Sequence, residues 1–319
     1  MRWIKHGHIF DPTQHKLPNN CVQYAQAPQT LVFEDYVRIY FSTRAVDSNN
    51  GKYLSHIAFV DMTKDFQNII QVSEKPIIPL GGLGCFDEHG IFPMNVMRHG
   101  NKIYAYTCGW NRRVSVSVDT AIGLAISNDN GLTFQRIGDG PILAASQNEP
   151  CLVGDAFVTI VNGLFHMWYI FGTCWKKYSN SQEPERTYKI GHATSQDGIE
   201  WIKEEGRCII PEILGPNECQ ALPTVVSIAD RYHMFFCYRE SVDFRKTRGR
   251  GYRIGYAWSN DLFNWTRDDA AASLEGTWGE WDSDMQCYPH VFKCDDKIYL
   301  LYNGNEFGRY GFGLAELKL

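Results

Sequence analysis

The sequence predicts an all-β protein: a five-bladed β-propeller of four-stranded antiparallel blades, with the N-terminal strand closing the last blade. Three observations carry this prediction. A hydrophobic-aromatic segment recurs five times at nearly constant spacing, a Gly-Ala hairpin signature follows it in three repeats, and the strand missing from the last repeat is found at the start of the chain. Composition agrees, since the 319 residues include 18 Phe, 17 Tyr, 9 Trp and 28 Gly with only 21% charged residues, as in strand-rich globular chains.

The recurring segment reads Val37-Arg38-Ile39-Tyr40-Phe41, Ile103-Tyr104-Ala105-Tyr106, Phe165-His166-Met167-Trp168-Tyr169, Tyr232-His233-Met234-Phe235-Phe236 and Ile298-Tyr299-Leu300-Leu301-Tyr302. The first residues are 66, 62, 67 and 66 positions apart. Pro28, Pro223 and Pro289 each stand about nine residues earlier, Pro93 one position further, and the third repeat has no such Pro. Downstream, Ile122-Gly123-Leu124-Ala125 leads to Ser127-x-Asp129, Ile190-Gly191-His192-Ala193 to Ser195-x-Asp197, and Ile254-Gly255-Tyr256-Ala257 to Ser259-x-Asp261. Each reads as strand, tight turn, strand. Asn130-Gly131 and Asp197-Gly198 supply the positive-φ positions of such turns, so Asp129, Asp197 and Asp261 are expected to be turn residues.

A meander of about four strands cannot bury both faces alone and must pack against its copies. The expected blades span about 19–80, 85–145, 149–212, 217–275 and 280–319 plus 1–12, all in one propeller over 1–319. The last unit stops soon after Phe312-Gly313-Leu314-Ala315, while Trp3-Ile4-Lys5 through Pro12 matches Trp201-Ile202-Lys203 through Pro211, an outer strand. Closing the ring removes exposed sheet edges. Only 268–276 looks even weakly helical.

Other classes are disfavoured. Of the ten cysteines, Cys21, Cys85, Cys151, Cys219 and Cys287 follow the repeat at intervals of 64, 66, 68 and 68, with no Cys-x-x-Cys pair, so reduced thiols are expected. No apolar run approaches the ~18 residues of a membrane span, and the opening residues lack an apolar signal segment, which predicts a cytoplasmic protein with no membrane span. The net charge of −5 argues against nucleic acid as a partner. There is no Gly-x-Gly-x-x-Gly after a strand, no P-loop and no His-Glu-x-x-His, and no cofactor is expected. His89 and His290 adjoin inner strands and are positioned to ligate an axial ion, but a lone His more often satisfies local hydrogen bonds, and no metal is expected.

In a propeller the connections entering the inner strands and those between the second and third strands emerge on one face, where a site is expected. The first set is acidic, with Asp87, Glu88, Glu149, Asp155, Glu218, Glu280, Asp282 and Asp284 and no Lys or Arg. The second set, 44–52, 109–119, 172–189, 239–253 and 303–311, carries a summed charge of +8. Acids toward the axis suit acid/base chemistry, and Arg at the rim suits a phosphate or carboxylate on the ligand. Arg44, Arg239 and Arg253 abut strand ends and are favoured over loop-tip cations such as Arg112, while Trp110 and Trp175 are placed to stack on a sugar ring or to pack the rim. Plainer roles also stand, with Asp282 capping a turn and Glu149 simply exposed.

These repeats resemble the five-bladed propeller carbohydrate enzymes, the superfamily of invertases, levansucrases, arabinanases, xylosidases and mannoside phosphorylases. Phe86-Asp87-Glu88-His89-Gly90-Ile91-Phe92-Pro93, Tyr252-Arg253-Ile254-Gly255-Tyr256-Ala257, Trp281-Asp282-Ser283-Asp284-Met285-Gln286-Cys287-Tyr288-Pro289 and Leu301-Tyr302-Asn303-Gly304-Asn305 are similar to predicted glycosidase-like proteins of bacterial surface-polysaccharide loci. The resemblance implies a Glu at an inner-strand start as general acid, a place held by Glu218-Cys219, and a third-blade acid that orients substrate, a place held by Asp155. The first-blade Asp-Pro that supplies a base or nucleophile is replaced by Ala27-Pro28, with Gln26 beside it, so Asp87, Glu88 or Asp284 would have to act instead. Asp87 is the first choice. Asp282 and Tyr288 complete the expected substrate-binding set.

The first expectation is therefore a glycosidase-like enzyme cleaving an anionic or phosphate-bearing sugar, with Glu218 protonating the leaving oxygen and Asp87 activating water. Glycosyl transfer or phosphorolysis, which needs one carboxylate, is the second, and a non-catalytic sugar-binding propeller the third. A carbohydrate or sugar-phosphate is the expected partner in each.

Overall fold

The computed structural model describes residues 1–179 and 183–318, so the tip of the 172–189 loop and the expected last residue of blade five lie outside the described residues. Strand β1 (Arg2–Phe10) opens the chain. Blade one follows as β2 (Gln23–Val32), β3 (Tyr36–Val46), β4 (Tyr53–Thr63) and β5 (Ile69–Val72), and blade two as β6 (Gly90–His99), β7 (Lys102–Arg112), β8 (Val118–Ser127) and β9 (Gln135–Arg136). Blade three holds β10 (Cys151–Val161), β11 (Leu164–Lys176), β12 (Glu185–Ser195) and β13 (Ile202–Lys203). Blade four holds β14 (Glu218–Ile228), β15 (Arg231–Glu240), β16 (Arg253–Ser259) and β17 (Thr266–Arg267). Blade five takes β18 (Cys287–Cys294), β19 (Lys297–Asn303) and β20 (Phe312–Lys318), and β1 pairs antiparallel with β20 to complete it. The five-bladed propeller is thus closed by its own N-terminal strand. A single parallel bridge, Ser55 to Gly90, links the first two blades directly. Among the described residues no helix is long and apolar enough to cross a membrane.

The blades hold together by packing aromatic residues of their second strands against aromatic residues at the outermost strand of the next blade. Trp168 meets Trp265 edge-on at 5.9 Å, and Trp3 meets Phe235 at 5.2 Å while its Nε1 donates to the Ala272 carbonyl at 3.1 Å, tying the closing strand to the end of blade four. The hairpin turns take part as well. The Tyr40 hydroxyl of blade one donates to the Gly131 carbonyl of blade two, and Tyr106 of blade two donates to Gly198 of blade three. At Gly131 φ is +78°, and an added Cβ would come within 2.1 Å of the Tyr40 oxygen. Gly131→Ala combines left-handed strain with overpacking, and we expect it to lower stability by about 1–3 kcal/mol in urea unfolding. The Ser127, Ser195 and Ser259 hydroxyls each accept the backbone N–H of the Asp two residues on, which places Asp129, Asp197 and Asp261 in turns, as their repetition predicts.

One irregularity recurs in every inner strand and positions the site. The ladders of β2, β6, β10, β14 and β18 each slip where Ala27, Phe92, Asp155, Leu222 and Tyr288 stand. Four of these residues have left-handed backbones, with φ of +50°, +51°, +48° and +55° for Ala27, Asp155, Leu222 and Tyr288, and Phe92 precedes a cis proline. A bulge re-aims the side chain it carries, so five equivalent positions are turned around one axis. Asp155 is the one acid among these five.

Candidate active site

Where the inner strands begin, the five blades enclose a cavity of about 610 Å³ lined by residues from every blade. Asp155, Arg44, Trp110, Arg239 and Tyr288, all expected from the sequence, line it. Its walls also include side chains that the sequence reading did not single out, among them Tyr24, Tyr53, Arg186, Tyr188, Arg245 and Glu306.

Asp155 is 6% exposed, on a bulge whose left-handed backbone is held by the surrounding strands. Burial pushes its pKa up to about 7, against the opposing pull of the Leu222 N–H and the Arg186 charge. It is therefore able to hold a proton near neutral pH and release it to a reacting atom.

Around it lie four guanidinium groups. Arg239 is 1% exposed, donates to the Tyr188 hydroxyl at 2.8 Å and to the Glu240 carbonyl, and stacks 3.5 Å above the Phe244 ring. The Tyr188 hydroxyl is in turn hydrogen-bonded to that of Tyr252. Arg44 lies over Tyr24 at 4.6 Å, Arg186 over Trp175 at 5.5 Å and Arg245 over Phe244 at 4.1 Å. Burial, then the like charges of Arg239 and Arg186, pull the Arg245 pKa below its ordinary value, so these cations feel one another. Among the described residues none of the four is joined to a carboxylate by an ion pair. Buried polar atoms without partners gather here too: Arg239 Nε, Arg44 Nε, Gln26 Oε1 and Thr120 Oγ1 all belong to cavity-lining residues. Each of these atoms has almost no accessible surface, so they stand behind the cavity lining rather than on it.

The second carboxylate of the wall, Glu306, sits in the turn Asn305–Gly308 with its side chain 55% exposed and paired to Arg309 at 3.1 Å.

The other expected site residues stand elsewhere. Glu218 is fully buried outside the lining. Its Oε1 accepts from Arg267 Nη1 at 2.6 Å and Gln220 Nε2 at 2.8 Å, and its Oε2 from the Ile213 and Leu214 N–H groups at 2.9 Å each. Three more acids repeat the arrangement: Asp87 pairs with Arg136 at 2.5 Å, Glu149 with Lys203 at 2.7 Å and Asp282 with Lys5 at 2.5 Å, all three acids being fully buried. In blades two to five an acid at the inner-strand start thus binds a base on the outermost strand. This corrects the expectation that these acids face the ligand, and the expectation that Glu149 is exposed. Asp282 also accepts the Thr277 N–H at 3.0 Å, the turn-capping role.

Asp284 is a surface residue 3.5 Å from Arg248, and Glu88 accepts the Gly84 N–H at 3.1 Å. Arg112 donates to the Tyr53 carbonyl at 2.7 Å, behind the wall rather than within it. Trp175 supports Arg186 from outside, and Arg253 turns to Tyr238 and the Gly249 carbonyl. The two candidate histidines are far apart in role. His89 stacks on Trp110 at 5.9 Å, whereas His290 lines a smaller cavity of about 350 Å³ at the other end of the inner strands, its Nε2 accepting the Thr30 N–H at 3.0 Å.

No family model matches the chain. Over 318 residues, 100% of both chains, it is 31% identical to Uncharacterized protein Rv1502 of Mycobacterium tuberculosis. A stretch of 142 residues, 41% of this chain and 43% of the relative, is 31% identical to Beta-1,2-mannobiose phosphorylase of a Thermoanaerobacter species. Among solved structures, a glycoside hydrolase superposes with a TM-score of 0.73 at 16% identity, covering 99% of this chain and 91% of that one. The β-1,2-mannobiose phosphorylase of Listeria innocua, in complex with β-1,2-mannobiose, gives a TM-score of 0.66 at 13% identity, covering 97% of this chain and 94% of that one. These structural likenesses establish the glycosidase-like propeller fold.

Proposed function

This chain belongs to the same family as the full-length mycobacterial relative, and we propose that its cavity cleaves a glycosidic bond with phosphate as the acceptor, Asp155 acting as general acid. The observation that carries this reading is one buried, protonatable carboxyl in a cavity lined by four guanidinium groups, none of which is ion-paired to a carboxylate among the described residues. Hydrolysis by two carboxylates needs a base for water, and the wall's other carboxylate is exposed and already paired to Arg309. Phosphate carries its own nucleophilic oxygen and suits planar, bidentate Arg donors.

In this reaction a phosphate oxygen bonds to the anomeric carbon as the glycosidic C–O bond breaks. The leaving oxygen takes the Asp155 proton, giving sugar 1-phosphate and a free hydroxyl, and solvent returns a proton to Asp155. Arg239 and Arg186 hold the phosphate, with the Tyr188–Tyr252 pair fixing Arg239, while Trp110 is available to a sugar ring face. The local likeness to a mannobiose phosphorylase supports the same reading.

The test is to incubate purified protein with mannose- and glucose-containing disaccharides, with and without inorganic phosphate, and to assay sugar 1-phosphate. Product is expected only when phosphate is present. Release of free sugar at the same rate without phosphate would replace phosphorolysis by hydrolysis.

A further inference from the structure

We propose that Trp278 and Arg248 form a second, distal sugar subsite beside the cavity, and that an extended acidic glycan is bound more tightly than a lone disaccharide. The subsite rests on the glycan-cleaving reading above and adds to it the size and charge of the substrate.

Trp278 is 78% exposed, which is unusual for the largest apolar side chain. It is also fixed in place. The Glu280 N–H closes a turn onto the Thr277 carbonyl at 3.0 Å, with Gly279 at φ +79° following the indole. The Thr277 N–H is bound by the buried Asp282 carboxylate, and the Thr277 hydroxyl accepts from Lys5 at 2.5 Å. A tryptophan displayed on a turn that the buried Asp282 and the half-buried Lys5 brace is pre-organised for contact, so binding it loses little entropy.

Arg248 lies 4.4 Å over one indole face and is itself steadied by Asp284 at 3.5 Å, leaving the other face to solvent. An open indole face suits the C–H face of a pyranose ring, and the guanidinium on its opposite face suits an acidic substituent that reaches past the indole edge.

The position links this platform to the cavity. Arg248 belongs to the connection between β15 and β16, and the same connection places Phe244 and Arg245 in the cavity wall. A Cβ added at Gly251, further along it, would meet Met285 Cβ at 3.4 Å and the Asp284 carbonyl at 3.6 Å, so the loop rests on the segment that carries Trp278. From Arg245 in the wall, the exposed Lys246 and then Arg248 lead outward. A chain of sugars leaving the cavity along this loop meets cations first and an aromatic platform next.

The experiment measures affinity for graded di- to hexasaccharides bearing uronic acid or phosphate groups, and for neutral counterparts, using the Asp155→Asn protein so that nothing is consumed. Affinity is expected to rise with length for acidic chains only. Trp278→Ala is expected to lower tetrasaccharide affinity about tenfold and to abolish the gain with length, and Arg248→Ala to reduce the preference for acidic chains. An unchanged thermal midpoint would show that the Trp278 variant folds. Retention of the length dependence in Trp278→Ala would overturn the subsite alone. Equal gains for neutral and acidic chains would overturn its acidic specificity, and absence of binding to every chain would overturn both this subsite and the glycan-cleaving reading.

Discussion

Asp155→Asn is expected to lower phosphorolysis by about 100-fold or more, because a positioned general acid contributes about 10²–10⁴ to rate. The same substitution should change the pH profile. With the carboxyl pushed up to about 7 by burial, wild-type activity is full where Asp155 is protonated and declines as pH rises through about 7. Residual activity of the variant should lack that limb. Stability gives an independent reading of the same group. Its folded pKa lies above its unfolded value near ~3.9, so the proton is held more tightly in the folded state. The contribution to stability is whole below the unfolded pKa and is lost as pH rises through the folded one. Between about pH 4 and pH 8 the wild type should therefore lose about 4 kcal/mol relative to the Asn variant, which has no proton to release. Urea unfolding of both proteins across this range measures it. Parallel stability curves would mean that Asp155 is not held protonated, and an identical rate profile in the variant would remove it as the acid.

The propeller was legible because a repeat records itself several times over: five aromatic segments, three hairpin signatures and one displaced strand agree on a single ring. The recurring bulge was half legible, since Pro28, Pro93, Pro223 and Pro289 mark the residue that follows the re-aimed one. Asp155 lacks that proline, having Ala156 after it, and it was reached through the third-blade acid that the resemblance implies. The cations show a different limit. Arg253 was expected in the site, but side chains alternate along a strand, and its neighbour Tyr252 is the one that lines the cavity. The same alternation sends Lys189 to the Glu218 carbonyl while Tyr188 faces inward. The shared pattern Tyr188-Lys189-Ile190-Gly191 and Tyr252-Arg253-Ile254-Gly255 held this information, with the tyrosines as the functional members. Charge summed over loops missed it because it records where residues lie in sequence and not the face to which they turn.

The acids at the inner-strand starts failed for a related reason, and Glu218→Gln tests the correction. Loop by loop these acids have no basic neighbour, yet each has one about fifty residues later in its own blade, or at the N-terminus for the last. The bases even share a signature, an aromatic residue two positions earlier in Phe134-x-Arg136, Trp201-x-Lys203, Trp265-x-Arg267 and Trp3-x-Lys5. Glu218→Gln leaves Arg267, whose side chain is 4% exposed, without the buried charge it faces, although Asp269 remains 3.0 Å from its other nitrogen. Breaking one side of a buried pair costs about 3–5 kcal/mol, and the retained Asp269 contact places the expected loss toward the lower end. Burial opposes the Glu218 charge, but hydrogen bonds from Gln220, the Ile213 N–H and Arg267 outweigh it and hold the carboxyl below its ordinary value. A folded pKa below the unfolded one means that this stabilisation is present above the usual glutamate range and is lost as pH falls through the folded value. Wild type and Glu218→Gln should therefore differ most at neutral pH and converge in acid. Turnover per folded molecule should stay within a few-fold of wild type, and replacing Arg267 by Met alongside Glu218→Gln should recover part of the stability, since removing both charges avoids the orphan. A variant that unfolds like wild type but loses turnover by about 100-fold would return Glu218 to the role of acid and take it from Asp155.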